Sequence, residues 1–345
     1  MNEASARFGL PSRALTDEWL NEREDIDGGA DVVRTSVTIE RPKSIITRNS
    51  SPDVPFDRSI NAYRGCEHGC IYCFARPTHA FHDLSPGLDF ETKLFAKPDA
   101  AALLRAELAK PGYAVAPIAM GTNTDPYQPI ERDWRITRAC IEVLAETRHP
   151  LMITTKSDRV VRDLDLLAPM AAQGLVSVMI SVTSLDPRTA MTLEPRAPSP
   201  AKRIAAIRAL SAAGIPVQVS ISPLIPAITD HEIEAILEVA ADAGAVRASY
   251  IPVRLPNEVA PLFRAWLDEH YPERAAKVMG IIQSLRGGRD NDPRFGERFR
   301  GQGPWYDLIR TRVRIAKRRF GLDGERVVLR CDLFRQPRGP QGELF

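Results

Sequence analysis

The sequence predicts an α/β protein built on a parallel sheet, and three observations carry that expectation. From residue 58 onward, short apolar runs alternate with amphipathic helical patterns. The intervals between the later runs, roughly 25–40 residues, are each long enough for a crossover helix. The 345 residues are 44% apolar and 26% charged, the balance of a globular chain able to bury a sizeable core. Six strands in this rhythm fit a partial (β/α)6 barrel or an open doubly wound sheet, and periodicity does not separate the two.

Taken in order, residues 1–57 read as an extended or partly disordered lead-in. They carry mixed charge and few aromatics, and the stretch Arg41 to Asp57 has prolines without a period. The core spans 58–285, with strands expected at Ser59–Tyr63, Ala114–Gly121, Leu151–Thr155, Val176–Thr183, Val217–Leu224 and Ala248–Val253. Helices are expected between them at Pro98–Leu108, Arg132–Thr147, Val160–Gln173, Pro200–Ala213 and Asp230–Ala243. In Pro200–Ala213, Ile204, Ile207 and Leu210 recur on one face, and Gly214 supplies a stop. Thr229-Asp230-His231-Glu232 starts the next helix with carboxylates in its first turn.

Residues 286–345 form a basic helical extension. The formal charge of the chain is only +2, but Arg286 to Phe320 holds eleven Lys/Arg against four Asp/Glu. Within it, Trp305–Phe320 is an amphipathic helix, with Ile309, Val313, Ala316 and Phe320 on one stripe and Arg310, Arg314 and Lys317 on another. Such a basic face is either solvated or a contact for nucleic-acid phosphates along residues 286–320. Val327–Leu333 reads as strand-like and contains Cys331; Cys140 falls within a helix as a core residue.

The chemistry-bearing motif is Gly65-Cys66-Glu67-His68-Gly69-Cys70-Ile71-Tyr72-Cys73. Three thiolates spaced C-x3-C-x2-C can ligate three corners of a [4Fe–4S] cubane and leave one iron without a protein ligand. A structural zinc site completed by His68, His79 or His82 is the competing reading. A disulfide framework is disfavoured by five sparse cysteines without a preceding secretory signal, and no apolar run is long enough to span a membrane. The expected location is the reducing cytoplasm.

Cys66 follows the first expected strand, at the end where ligand sites gather in both candidate architectures. The other strand ends supply fitting groups. Gly121-Thr122-Asn123-Thr124-Asp125-Pro126-Tyr127 offers hydroxyls and amides suited to an amino-acid head group, or simply a capped turn. Lys156 closes the third strand and either reaches solvent or pairs with a carboxylate. Ser181 and Thr183 share one face of the fourth, where buried hydroxyls need partners. Glu194 and Arg196 form a surface bridge, or Arg196 holds a ligand carboxylate.

The cysteine motif resembles that of the radical S-adenosylmethionine (SAM) superfamily. Gly-Thr-Asn-Thr-Asp-Pro-Tyr at 121–127 and Thr-Lys-Ser at 155–157 resemble its branch related to spore photoproduct lyase, often labelled "DNA repair photolyase", over about Asp57 to Arg254. The lead-in, core and ending Leu329-Arg330-Cys331-Asp332-Leu333-Phe334 resemble an uncharacterised bacterial subgroup of that branch. The resemblance implies a six-stranded partial barrel with the cluster loop after strand one. It implies a [4Fe–4S] cluster on Cys66, Cys70 and Cys73, with SAM chelating the open iron. Tyr72 would lie near the adenine, Thr124 and Lys156 would meet SAM, the latter at its carboxylate, and Ser181 would face the nucleoside. The activity implied is reductive cleavage of SAM to a 5′-deoxyadenosyl radical, fed by a flavodoxin- or ferredoxin-type donor, with a nucleic-acid base as substrate. The lyase has a hydrogen-donating cysteine after strand two where this chain has Gly121-Thr122, which counts against thymine-dimer repair by the same route. The other readings are a zinc-stabilised nucleic-acid-binding module without catalysis, and radical chemistry on a protein or metabolite.

Overall fold

The computed structural model describes residues 34–337. Its ten strands, in chain order, are β1 (Ser36–Ile39), β2 (Ile46–Arg48), β3 (Arg58–Ile60), β4 (Tyr63–Arg64), β5 (Lys93–Ala96), β6 (Ile118–Met120), β7 (Leu151–Thr155), β8 (Val176–Ser181), β9 (Val217–Leu224) and β10 (Arg247–Pro252). The main sheet runs β10-β9-β8-β7-β6-β3-β2, and β1-β5-β4 make a small second sheet. From β3 to β10 every pairing in the main sheet is parallel; β2 adds an antiparallel edge. Spatial order follows chain order from β3 to β10, so every crossover advances in one direction. A doubly wound sheet would reverse at a switch point. The winding is therefore that of the partial barrel.

Eleven helices are described: α1 (Asp89–Thr92), α2 (Ala100–Leu108), α3 (Glu131–Trp134), α4 (Ile136–Glu146), α5 (Leu164–Ala172), α6 (Pro187–Leu193), α7 (Pro200–Ala212), α8 (Ile233–Asp242), α9 (Val259–His270), α10 (Pro272–Ser284) and α11 (Pro304–Arg319). Leu151, Ile153, Val178, Ile180, Val217 and Val219 are fully buried in one core with residues of α2, α4, α5, α7 and α8. These branched side chains suit a pleated surface covered by helices. Alternation then turns the intervening residues to the other face. By register, Thr154, Met179 and Gln218 form one row there, and Ser181, Ser220 and Ser249 form the next. Ser249 and Ser220 hydroxyls lie 3.3 Å apart. A second core packs the α9–α10 hairpin, through Leu262, Phe263, Trp266 and Ile282, onto Ile71 and Tyr72 of the cysteine loop.

Several boundaries differ from expectation. The helix expected at Arg132–Thr147 is broken at Arg135, which takes φ +49°. The cause is Glu131: its buried carboxylate accepts from the backbone N–H groups of Thr137 and Arg138 and caps a fresh start. The segment opening Val160–Gln173 is a 3-10 turn, Asp158–Asp163, before α5 begins. The second barrel strand shrinks to Ile118–Met120, since Pro117 has no N–H to pair. Ser59–Tyr63 divides between the two sheets. Val327–Leu333 is not a strand; single backbone bonds from Arg330 to Gly174 and from Arg335 to Thr147 lay this segment across neighbouring loops. Within the expected lead-in, β1 and β2 are ordered strands, while residues 1–33 lie outside the described residues, as do 338–345. No helix among the described residues is long and apolar enough to cross a membrane.

One glycine fixes the approach of two strand ends. Gly121 takes φ +85°, and a Cβ there would fall 1.9 Å from the Thr154 carbonyl oxygen. Gly121→Ala is expected to lower stability by more than about 2 kcal/mol, from backbone strain plus displacement of β7. Urea unfolding measures it, and an unchanged midpoint would contradict the assignment.

Candidate active site

The cysteine loop begins where β4 ends. Gly65 takes φ +73°, and a Cβ there would meet Leu94 Cδ2 at 2.5 Å and the Phe90 carbonyl at 2.7 Å. Only glycine lets the chain turn under β5 at that point. Cys66 and Cys70 are buried and Cys73 is half-buried. The loop is held from behind by Arg76, whose side chain is wholly enclosed. Its guanidinium donates to the carbonyls of Cys70 (2.8 Å), Gly69 (3.0 Å), Pro86 (3.0 Å) and Gly87 (2.8 Å) and to Glu91 Oε1 (2.6 Å). A rigid five-donor fork suits this task as a lysine would not.

From the other side, Gln128 Oε1 accepts from the Glu67 N–H and its Nε2 donates to the Gly65 carbonyl. Glu67 in turn accepts from Ile130 N and Thr35 Oγ1. Asp125 joins three elements: it accepts from Thr155 Oγ1 (2.6 Å) and Lys156 N (2.8 Å) and pairs with His68 Nδ1 at 3.5 Å. The loop therefore presents three thiols from a backbone fixed on both sides.

Burial pushes the Cys70 thiol up to about 12 and the Cys66 and Cys73 thiols up as well, with Lys156 acting in the opposite direction at Cys70 and Cys73. Metal binding here would thus displace protons. Three thiols on one loop supply the donor chemistry of an iron–sulfur cluster with one open iron. Of the histidines in the competing zinc reading, His68 pairs with Asp125 through Nδ1 and His79 Nε2 sits 2.9 Å from the Lys93 carbonyl, while His79 Nδ1 and His82 Nε2 are buried without a hydrogen-bond partner among the described residues.

Beside the thiols lies a buried ionic network. Glu194 accepts from the Tyr72 hydroxyl, from Thr183 Oγ1 (2.8 Å) and from Arg203 Nη2. Arg203 also donates to the carbonyls of Pro198 (2.8 Å) and Ser181 (3.1 Å). Lys156 Nζ stands 5.8 Å from the Tyr72 ring centroid. Burial opposes its charge, but Glu194, with Cys70 and Asp125, outweighs burial and holds the ammonium above its ordinary range. For Glu194 burial likewise favours the neutral form. Arg203 and Lys156, helped by the Tyr72 hydrogen bond, prevail and hold the carboxyl at about 2. The site therefore keeps a fixed cation at Lys156, ready for an anionic head group.

Of the expected residues, Tyr72, Lys156 and Ser181 converge around Glu194 and Arg203, next to Cys70. Thr124 lies across the loop, its buried hydroxyl donating to the Tyr63 carbonyl at 3.2 Å. Arg196 stands behind the cysteines, where it donates to the Glu91 carbonyl at 2.8 Å. The expected Glu194–Arg196 surface bridge does not form: Glu194 is buried and pairs with Arg203, nine residues on. Cys140 is buried in the main core, as expected. Arg76 and Arg203 were not legible as site residues, since each takes its role from groups on other loops. A cleft of about 570 Å³ lined by Asp230, Arg274, Lys277 and Trp305 contains none of these residues. The thiols and fixed charges, not cavity size, mark the chemistry.

Comparison with known proteins gives a consistent result. The family model described as "Radical SAM superfamily" matches residues 60–240. An uncharacterised protein of Mycobacterium tuberculosis (strain ATCC 25618 / H37Rv) is 39% identical over 232 residues, covering 67% of this chain and 68% of its own. One of Methanocaldococcus jannaschii is 29% identical over 214 residues, covering 62% and 76%. Spore photoproduct lyase complexed with dinucleoside spore photoproduct superposes with a TM-score of 0.58 at 15% identity, over 90% of this chain and 84% of that one. The last is a likeness of fold.

Proposed function

The chain belongs to the radical SAM superfamily and is a radical SAM enzyme, and from that premise we propose that it abstracts hydrogen from a nucleic-acid base. The observation that carries the chemistry is the pairing of a three-thiol loop with a fixed Lys156 cation at the C-terminal ends of parallel strands. In this reading Cys66, Cys70 and Cys73 hold a [4Fe–4S] cluster. When bound, that cluster supplies one electron to the sulfonium of SAM, releasing methionine and a 5′-deoxyadenosyl radical.

The protein's own groups do the rest. Lys156 pairs with the SAM carboxylate, Tyr72 flanks the adenine, Thr124 contacts SAM, and Ser181 faces the nucleoside. Arg196 supports the loop through Glu91. The α9–α10 hairpin, packed on Ile71 and Tyr72, shields the thiols from water. A flavodoxin- or ferredoxin-type protein is the reductant.

The base as target is supported by two features. The fold is like that of a lyase described with a bound dinucleoside, and the extension is basic. On α11, Arg310 pairs with Asp307 and Arg312 with Glu234, while Arg314, Arg318 and Arg319 are exposed. The lyase's own repair chemistry is not part of the proposal, because this chain has Gly121-Thr122 where the resemblance places the hydrogen-donating cysteine.

The test is isotopic. Reduced, reconstituted protein is given SAM and an oligonucleotide deuterated on its bases. Deuterium in the recovered 5′-deoxyadenosine supports the base as hydrogen source. Unlabelled product, formed at the same rate with and without oligonucleotide, would move the target to a protein or metabolite.

A further inference from the structure

Next to the cysteine loop, aromatic rings and guanidinium groups alternate in one stack. Phe74, the residue after Cys73, lies 5.0 Å from the guanidinium carbon of Arg254. Arg254 lies 4.6 Å from the centre of the Phe299 ring, and Arg298 lies 4.8 Å from the same ring and 4.7 Å from Phe295. The stack therefore runs Phe74–Arg254–Phe299–Arg298–Phe295. Phe74 is 47% and Phe295 56% exposed, so a ring at each end is open to solvent. Two large exposed aromatics joined through stacked cations are not ordinary surface filler.

The scaffold beneath is fixed. Arg254 follows β10 by two residues, at the strand end that faces the site, and buried Arg286 donates to the Val253 carbonyl at 2.6 Å. The loop carrying Phe295 and Phe299 is tied down by Asp53, which accepts from Gly296 N (2.7 Å) and Arg298 Nε (2.6 Å). Asp53 thus neutralises Arg298. Arg254, in contrast, makes no hydrogen bond or ion pair among the described residues. Burial, with repulsion from Arg298 and Arg286, outweighs the attraction of Asp53 and lowers it to about 10.

We infer that this stack docks an unpaired DNA strand, with bases against Phe295 and Phe74 and a phosphate at Arg254. Ring faces accept any base by stacking, and a guanidinium offers a bidentate hold on phosphate. Bases in a duplex have their faces covered by their neighbours, so the geometry selects unpaired nucleotides. The position, one residue from Cys73 and at a barrel strand end, would pass a stacked base toward the thiols. The inference rests on the nucleic-acid reading above and names the form in which that substrate arrives.

Fluorescence anisotropy on the full reconstituted protein tests it, with a labelled oligothymidylate of about twelve nucleotides and a duplex of the same length. The single strand is expected to bind at least roughly tenfold more tightly than the duplex. Phe295→Ala should weaken it by roughly tenfold. Arg254→Gln should reduce the slope of log affinity against log salt by about one. Thermal unfolding is recorded beside each variant. Phe295 sits at the exposed end of the stack, so its variant carries the test alone if Arg254→Gln does not fold. Duplex preference, no binding, or binding by Phe295→Ala equal to wild type would each overturn the inference. SAM cleavage by the wild type without oligonucleotide is measured in parallel. If cleavage persists while binding fails, only the docking surface is lost; if cleavage fails, the radical SAM assignment of the site falls first.

Discussion

Arg76→Met is expected to destabilise the protein by about 3–5 kcal/mol and to lower iron retention by roughly 10–100-fold. The substitution keeps most of the side-chain volume but removes every donor that Arg76 gives to Gly69, Cys70, Pro86, Gly87 and Glu91. Four carbonyls lose a buried partner. Glu91 keeps the ion pair with the partly exposed Arg196, at 3.5 Å. The cost arises from leaving buried polar groups unpaired, which exceeds the net value of the bonds themselves. Because two of the carbonyls belong to the cysteine loop, the loss should fall on the cluster as well as on folding. Urea unfolding and iron counted per chain after reconstitution check both parts. A variant that unfolds like wild type and keeps its iron would show that Arg76 does not hold the loop.

Glu194→Gln is expected to cost SAM cleavage more than about tenfold and to remove a pH dependence of stability. The carboxylate balances Arg203 and Lys156 in a site without bulk water, and glutamine would leave two buried cations facing each other. The sign of the pH effect follows from the depressed carboxyl. Held at about 2 in the folded protein against an ordinary 4.5, it stabilises the fold fully above the unfolded value and progressively less as pH falls from about 5 toward 2. The contribution is of order 3 kcal/mol. Wild-type stability should drop across that window, and the glutamine variant should start lower and fall less. Parallel curves for the two proteins would contradict the network.

Much of the barrel was legible because its signals are local. Leu151–Thr155 and Val217–Leu224 appear at the expected residues, as apolar β-branched runs bounded by breakers. The amphipathic stripe of α11 likewise buries Ile309, Val313 and Ala316, although Phe320 remains half-exposed. The barrel itself came from the resemblance of the cysteine motif, since strand order is invisible to periodicity. The failures share one cause, which is partners far away in sequence. Glu131 breaks a helix because it caps across the turn beside Tyr63. Glu194 turns inward because Arg203, in the first turn of the next helix, meets it in the core, and nothing in Leu193-Glu194-Pro195-Arg196 reveals that. Arg76 looks like any surface arginine until the loops that it staples are placed around it. The cation–ring stack joins residues 74, 254, 295, 298 and 299, contributed by three separate segments of chain.

Whether the three-thiol loop runs radical SAM chemistry is decided by one anaerobic measurement. The protein is reconstituted with iron and sulfide, reduced with dithionite and given SAM, and 5′-deoxyadenosine is quantified beside Cys70→Ala. About four iron atoms per wild-type chain are expected, with nucleoside formed by the wild type and none by the variant. Purified protein that holds zinc, takes up no iron and forms no 5′-deoxyadenosine would contradict that chemistry.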